Sequence, residues 1–111
     1  MVAAMVDEEL NELRREFLDE ARGKVEEMQS AVESGNRDDA SLDRLAYLAH
    51  QLKGSGGSYG YQRISDDAAE VEKAVESMAG HTGDEPALDG KIRKHVENLR
   101  TEIDGALKEL E

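Results

Sequence analysis

Cysteine is absent from the 111-residue chain, and proline occurs only once. Without cysteine, neither disulfide bonds nor thiolate zinc ligands can hold the fold together. Aromatic residues make up only 4% of the chain, whereas charged residues make up 36%. A composition this poor in aromatic residues and this rich in charge favours an all-helical domain over a β-sandwich.

Positive charge is also scarce, because 14 Lys and Arg residues stand against 26 Asp and Glu residues, for a formal net charge of -12. Nucleic acids and anionic membranes both attract basic surfaces, so neither is expected as a partner. No apolar run approaches the length of a membrane span, and Met1–Val6 lacks the basic residues of a signal peptide. We therefore expect a cytoplasmic protein with one domain over residues 1–111.

Apolar residues recur at helical spacing in four segments of the chain. Asp7 is predicted to cap the first helix, and Gly35 and Asn36 are predicted to end it. Asp38 or Ser41 is expected to cap the second helix. The predicted end of the second helix is a cluster of four glycines, Gly54, Gly56, Gly57 and Gly60.

The second half of the chain contains two further helices in this interpretation. Gly80 is predicted to end the third helix, Asp84 to cap the fourth, and Pro86 to lie in its first turn. Four amphipathic helices with short connections predict an all-α fold, an antiparallel up-down-up-down four-helix bundle. Such a bundle buries its own apolar faces, so a monomer is expected.

His50 is predicted to lie on the exposed face of the second helix. At about 100° per residue, it falls roughly 130° from the centre of the apolar stripe. Gly54 lies one turn after His50 and Ala46 one turn before it, while Lys53 occupies the i+3 position. An exposed imidazole beside a cation, with little side-chain bulk around it, suits a group that another protein must approach closely.

Other chemistry is not indicated by the sequence. No histidine has a second histidine three or four residues away, so no metal site is predicted. No Walker loop or kinase glycine loop is present, so the chain is not expected to be an enzyme that uses ATP. His81 and His95 are interpreted as isolated exposed histidines, and Asp66 and Asp67 as solvated acidic residues.

The stretch that contains His50 resembles the H-x-x-K-G-x-x-x-x-x-G motif of histidine phosphotransfer (HPt) domains. His50, Lys53, Gly54 and Gly60 occupy the four motif positions. The segment Phe17-Leu18-Asp19-Glu20-Ala21 is similar to the first helix of this family, which includes the phosphotransfer domain of chemotaxis-type histidine kinases. The resemblance spans most of the chain.

This resemblance implies a phosphoryl carrier of a two-component phosphorelay. His50 would carry the phosphoryl group between a histidine kinase and the aspartate of a response-regulator receiver domain, since imidazole is nucleophilic near neutral pH. Lys53 would offset the charge on the phosphoryl oxygens. The chain would bind no cofactor, and Mg²⁺ would be held by the partner. The predicted docking surface consists of Gly54, Ala46, Tyr47 and Gly57, and the predicted motif turn of Tyr59 and Gly60.

Phosphorylation at Nε2 of the imidazole needs the proton on Nδ1, which a hydrogen-bond acceptor at Nδ1 would favour. The hairpin turn near Tyr59 to Tyr61 places residues 68–72 opposite His50, and this window contains two acceptors, Glu70 and Glu72. The HPt resemblance favours Glu72, with Glu70 as the alternative. Both could equally be surface carboxylates of an acidic protein.

Two other interpretations stay open. The chain could be a helical adaptor that binds partners without chemistry, or the excised phosphotransfer domain of a chemotaxis-type kinase. Acid-labile, base-stable phosphate after incubation with a phosphodonor would distinguish a carrier from an adaptor.

Overall fold

The structure is a computed structural model that describes residues 2–111, with side chains from Asp7 onward. Met1 lies outside the described residues. It is the first residue of the segment 1–6, which was predicted not to be a signal peptide. The described residues form four helices: α1 (Val2–Ser34), α2 (Asp39–Ser58), α3 (Gln62–Ala79) and α4 (Glu85–Glu109). Within residues 2–111, no helix is long and apolar enough to span a membrane.

The helices pack as a ring in which α2 contacts α3, α3 contacts α4, and α1 contacts both α4 and α2. Short loops connect consecutive helices, so neighbours run antiparallel, and the predicted four-helix bundle is confirmed. The core is apolar and draws on all four helices, with Leu18, Leu45, Ile64 and Leu99 among its fully buried members. Burial of these apolar faces is the main force that holds the helices together.

The ends of α1 and α2 agree with the sequence in part. Asp38 is the N-cap of α2, since its carboxylate accepts a hydrogen bond of 2.8 Å from the Ser41 N–H. Asp7 is not an N-cap, because α1 begins at Val2 and Asp7 lies inside it. The segment before Asp7 contains neither glycine nor proline, so the helix continues through it.

The glycine cluster ends α2, as predicted, although the helix includes its first three members. The helix continues through Gly54, Gly56 and Gly57 to Ser58. The turn follows at Gly60, whose φ of 84° suits the left-handed position after a helix. The Tyr61 N–H donates to the Gly56 carbonyl (2.8 Å) and the Gly60 N–H to the Gly57 carbonyl (3.2 Å), which is the Schellman pattern.

The start of α4 lies where the sequence placed it. Asp84 is its first flanking residue and Pro86 lies in the first turn, but the Asp84 side chain makes no capping hydrogen bond. At the opposite end of the bundle, Phe17 of α1 stacks on Tyr59 and Tyr61, with ring centroids 4.9 Å and 6.0 Å apart. These aromatic contacts attach the α2–α3 turn to α1.

Candidate functional site

His50 projects from the middle of α2 and exposes 68% of its side chain to solvent. Its Nδ1 lies 2.8 Å from Oε2 of Glu72 on α3. A neutral imidazole with its proton on Nδ1 donates this hydrogen bond, because a carboxylate can only accept. The other ring nitrogen, Nε2, then carries a lone pair, and no residue from 7 to 111 forms a hydrogen bond with it.

Glu72 joins His50 to Lys53. Its second oxygen, Oε1, accepts a hydrogen bond of 2.7 Å from the Lys53 ammonium, and only 14% of the Glu72 side chain is exposed. Burial acts to raise the pKa of Glu72, but the hydrogen bonds from Lys53 and His50 outweigh it and hold the pKa below its ordinary value. Glu72 is therefore ionised at neutral pH and accepts from both neighbours.

Glu70, the alternative orienting residue, lies on a different face of α3. It borders a surface depression between α3 and α4 together with Lys73, Leu88 and Lys91. Among the side chains that the structure describes, no hydrogen bond joins Glu70 to His50. Of the two carboxylates, the structure therefore brings only Glu72 to the imidazole. Its role in orienting the ring stays a prediction.

The surface after His50 is open, as the small residues there suggest. A Cβ placed on Gly54 would meet no atom within 4 Å, apart from its own helix, and a Cβ on Gly57 would lie 3.6 Å from the Ser65 hydroxyl oxygen. Ala46, before His50, departs from expectation because it is partly buried against the core. Four residues rotate a helix by about 400°, and the extra 40° turns Ala46 towards the apolar stripe.

Tyr47 lies one turn before His50 and is 52% exposed. The Arg44 guanidinium lies 5.5 Å from the centre of its ring, and the Gln51 amide donates a 2.7 Å hydrogen bond to its hydroxyl. Arg44 in turn donates to both carboxylate oxygens of Glu27 on α1, at 2.6 Å and 2.9 Å. These contacts hold the ring in place one helical turn from His50, and the sequence analysis did not anticipate them.

His95 and Asp67 are not the exposed residues that the sequence analysis expected. His95 Nδ1 lies 2.6 Å from Asp67 Oδ1, and the two side chains are only 19% and 13% exposed, because α3 and α4 pack together there. His81 is a highly exposed loop residue. His50 alone among the three combines a carboxylate at hydrogen-bonding distance from Nδ1 with an accessible ring.

Metal ligands do not cluster in the described part of the chain. Among residues 2–111, no group of three or more His, Cys, Asp or Glu side chains is placed to hold a metal ion.

Compared with known protein families, residues 12–108 match the Hpt domain. No curated protein and no solved structure gives a significant match to the chain. The matched segment covers most of the chain and contains His50, Lys53 and Glu72. Hpt domains are phosphocarriers that interact with histidine kinases and response regulators. The chain therefore belongs to the Hpt domain family, which acts in histidine phosphotransfer in phosphorelays.

Proposed function

We propose that this domain accepts a phosphoryl group on Nε2 of His50 and exchanges it with the aspartate of a receiver domain or takes it from a histidine kinase. The observation that best supports this proposal is the 2.8 Å contact between His50 Nδ1 and Glu72 Oε2, together with the 68% exposure of the His50 side chain. This pairing occupies one ring nitrogen and leaves the other available to a partner protein.

The transfer uses the lone pair on Nε2. This lone pair attacks phosphorus, the N–P bond forms, and the P–O bond to the donor breaks, with its electron pair retained by the leaving oxygen of ADP or of an aspartate carboxylate. The ring becomes positively charged as it attacks. Glu72 stabilises that charge because it is ionised and already accepts the Nδ1 proton. In onward transfer a carboxylate oxygen of the receiver aspartate attacks phosphorus and the O–P bond forms, while the N–P bond breaks and its electron pair returns to Nε2.

Lys53 is placed to support the phosphoryl group. Its ammonium contacts Glu72 one turn from His50, and the flexible side chain is 40% exposed. A rotation towards Nε2 would let it donate to a phosphoryl oxygen while Glu72 keeps its hydrogen bond with His50. We propose that the partner supplies Mg²⁺ and any nucleotide.

The partner docks on α2, in our proposal, over the open surface at Gly54 and against the held ring of Tyr47. Gly57 extends this surface along the helix, and Ala46 contributes its exposed portion. The Schellman turn at Tyr59 and Gly60 fixes where α2 ends and hence where the surface stops.

The test is phosphorylation of the purified domain by the ATP-binding domain of a histidine kinase supplied with ATP and Mg²⁺, or by a phosphorylated receiver domain. We expect one acid-labile, base-stable phosphate per chain, and none in His50→Gln. His95→Gln is the matched control, because it removes the other histidine paired with a carboxylate, and it should be labelled like the parent. Labelling of His50→Gln would overturn the assignment, and an unlabelled parent would favour the adaptor interpretation.

A small phosphodonor such as phosphoramidate needs no docking surface, so it distinguishes an effect on partner docking from an effect on the chemical step. Gly54→Leu places a branched side chain beside His50, so we expect slower transfer from a protein donor but normal labelling by phosphoramidate. Equal rates from the protein donor in Gly54→Leu and the parent would contradict docking over Gly54.

A further inference from the structure

Gly56 of α2 lies in close contact with the start of α3. It is buried, and a Cβ added to it would lie 3.1 Å from the Ser65 backbone N, 3.2 Å from Ile64 Cγ2 and 3.4 Å from the Tyr61 carbonyl oxygen. Two of these three atoms belong to the α3 backbone and its preceding turn, so they cannot rotate away as a side chain would. A Cβ at position 56 therefore requires the start of α3 to shift by a few tenths of an ångström away from α2.

Ser65 adds a directed bond at the same place. Its hydroxyl donates to the backbone carbonyl of Lys53 at 2.8 Å, across from α3 to α2, in a partly buried position. A backbone carbonyl in a helix has a second lone pair, so it can accept this hydrogen bond and keep its hydrogen bond within α2. Unlike apolar packing, a hydrogen bond of this length fixes the position of one helix along the other.

Because each helix is rigid, the contact between Ser65 and Lys53 also determines where Glu72 of α3 lies relative to His50 of α2. Ser65 and Glu72 are seven residues apart, or about two turns and 10 Å, and therefore share a face of α3. Lys53 and His50 are three residues apart on α2 and share a face as well. The helices run antiparallel, so a contact between residues 53 and 65 places residue 68 level with residue 50. Glu72 lies one turn further along α3, and because helical side chains tilt towards the helix N-terminus, its carboxylate reaches back towards His50. Oε2 of Glu72 then lies 2.8 Å from His50 Nδ1.

We propose that Gly56 and Ser65 are positioning residues, which set the register of α2 against α3 so that Glu72 reaches both His50 and Lys53. Neither residue touches the imidazole, and both act through Glu72. Their effect on phosphoryl transfer rests on the proposed function, whereas their effect on the imidazole tautomer does not.

The test compares Gly56→Ala and Ser65→Ala with Gly23→Ala as matched control. Gly23→Ala adds the same methyl group to an exposed glycine inside α1, where the new Cβ meets no atom within 4 Å apart from its own helix. Nitrogen chemical shifts of His50 report which ring nitrogen holds the proton. We expect the proton on Nδ1 in the parent and in Gly23→Ala, and a shift towards protonated Nε2 in Gly56→Ala and, to a smaller extent, in Ser65→Ala.

Phosphorylation rates are measured on the same variants. We expect Gly56→Ala to lose roughly 3- to 30-fold, which is less than the ~100-fold that a full 1 Å misplacement can cause. Ser65→Thr, which keeps the hydroxyl, should recover the tautomer that Ser65→Ala loses. If Gly56→Ala fails to fold, the serine pair decides the question, because Ser65→Ala removes one hydrogen bond and creates no clash.

The parent tautomer in both folded Ser65→Ala and folded Gly56→Ala would overturn the proposal. If the variants show an altered tautomer but the parent accepts no phosphate, the positioning role stands and the phosphotransfer function is overturned. The tautomer therefore tests the positioning role, and labelling tests the function.

Discussion

At the scale of single residues, the end of α3 contains a mismatch between residue type and backbone conformation. His81 has a φ of 55°, and among residues 2–111 it is the one non-glycine residue with positive φ. The Thr82 N–H donates to the Ser77 carbonyl and the His81 N–H to the Met78 carbonyl, so His81 occupies the left-handed position of a Schellman motif. Gly80, which was predicted to end the helix, has an ordinary φ of -83°.

Replacing His81 with glycine should therefore stabilise the fold. A left-handed conformation costs a residue with a Cβ roughly 1–2 kcal/mol, so we expect His81→Gly to raise the free energy of unfolding by about 1 kcal/mol. Chemical denaturation measures the change. Gly80→Ala is the control, and since its φ suits alanine, we expect a change within about 0.5 kcal/mol. Destabilisation of His81→Gly would show that the histidine side chain contributes more than its backbone conformation costs.

At the scale of helix pairs, Asp67 is the centre of the polar contact between α3 and α4. It accepts from Asn98 at 3.2 Å and lies 2.6 Å from His95 Nδ1. Glu102 lies beside it with one oxygen, Oε2, buried and without a hydrogen-bond donor. Burial, together with a hydrogen bond to Asp67 and the charge of Asp67, raises the pKa of Glu102 to about 8. Glu102 thus keeps its proton at neutral pH and donates it to Asp67.

This contact should make stability depend on pH in the alkaline direction. The pKa of Glu102 is raised in the folded state from its ordinary value of 4.5 to about 8, so between pH 4.5 and about pH 8 the folded state binds more protons than the unfolded state. The stability that protonated Glu102 contributes is therefore fully present below pH 4.5 and is lost as the pH rises through about 8. Glutamine mimics the protonated acid. We expect the parent to lose stability relative to Glu102→Gln between pH 6 and pH 9, as measured by urea denaturation. Glu97→Gln is the control at an exposed position on α4, and its stability should depend on pH as that of the parent does. If the stability of the parent and that of Glu102→Gln change with pH in the same way, Glu102 and Asp67 do not share a proton.

The helices themselves were largely predictable, because apolar periodicity is a local property that each segment carries by itself. The ends of the helices were less predictable where tertiary packing determines the residue at which a helix stops. Glycine disfavours a helix in isolation, yet α2 continues through Gly56 because that residue packs against α3. A clue was available, since Gly56 follows Leu52 by four residues and so continues the apolar stripe. A small residue on a stripe indicates a close helix contact as readily as a helix end.

The site was predictable to the extent that it depends on one helix and one hairpin. The stripe on α2 placed His50 on the outside, and the short turn limited its neighbour on α3 to a window of five residues. The contact between His95 and Asp67 had no such constraint. It depends on how α4 is rotated about its own axis against α3, which only the packed core determines.

At the scale of the whole molecule, the bundle is elongated, with extents of 55 × 20 × 20 Å. The Arg15 guanidinium donates to the Leu110 carbonyl at 2.7 Å, so α4 ends level with Arg15. The part of α1 before Arg15 extends beyond the other helices for roughly 20 Å. Leu13 there is 47% exposed, and the first buried side chain of the described core is Phe17.

Removal of residues 1–11 should therefore leave the bundle intact, because stability depends on the apolar surface that the helices bury together. We expect the free energy of unfolding of residues 12–111 to lie within about 1 kcal/mol of that of the full chain in chemical denaturation. Phe17→Ala is the contrast, since it removes the buried ring that stacks on Tyr59 and Tyr61 and should lose about 3–5 kcal/mol. A loss in the shortened chain as large as that in Phe17→Ala would mean that the projecting turns of α1 fold cooperatively with the core. If instead only Phe17→Ala is destabilised, the core begins at the aromatic contacts that attach the α2–α3 turn to α1.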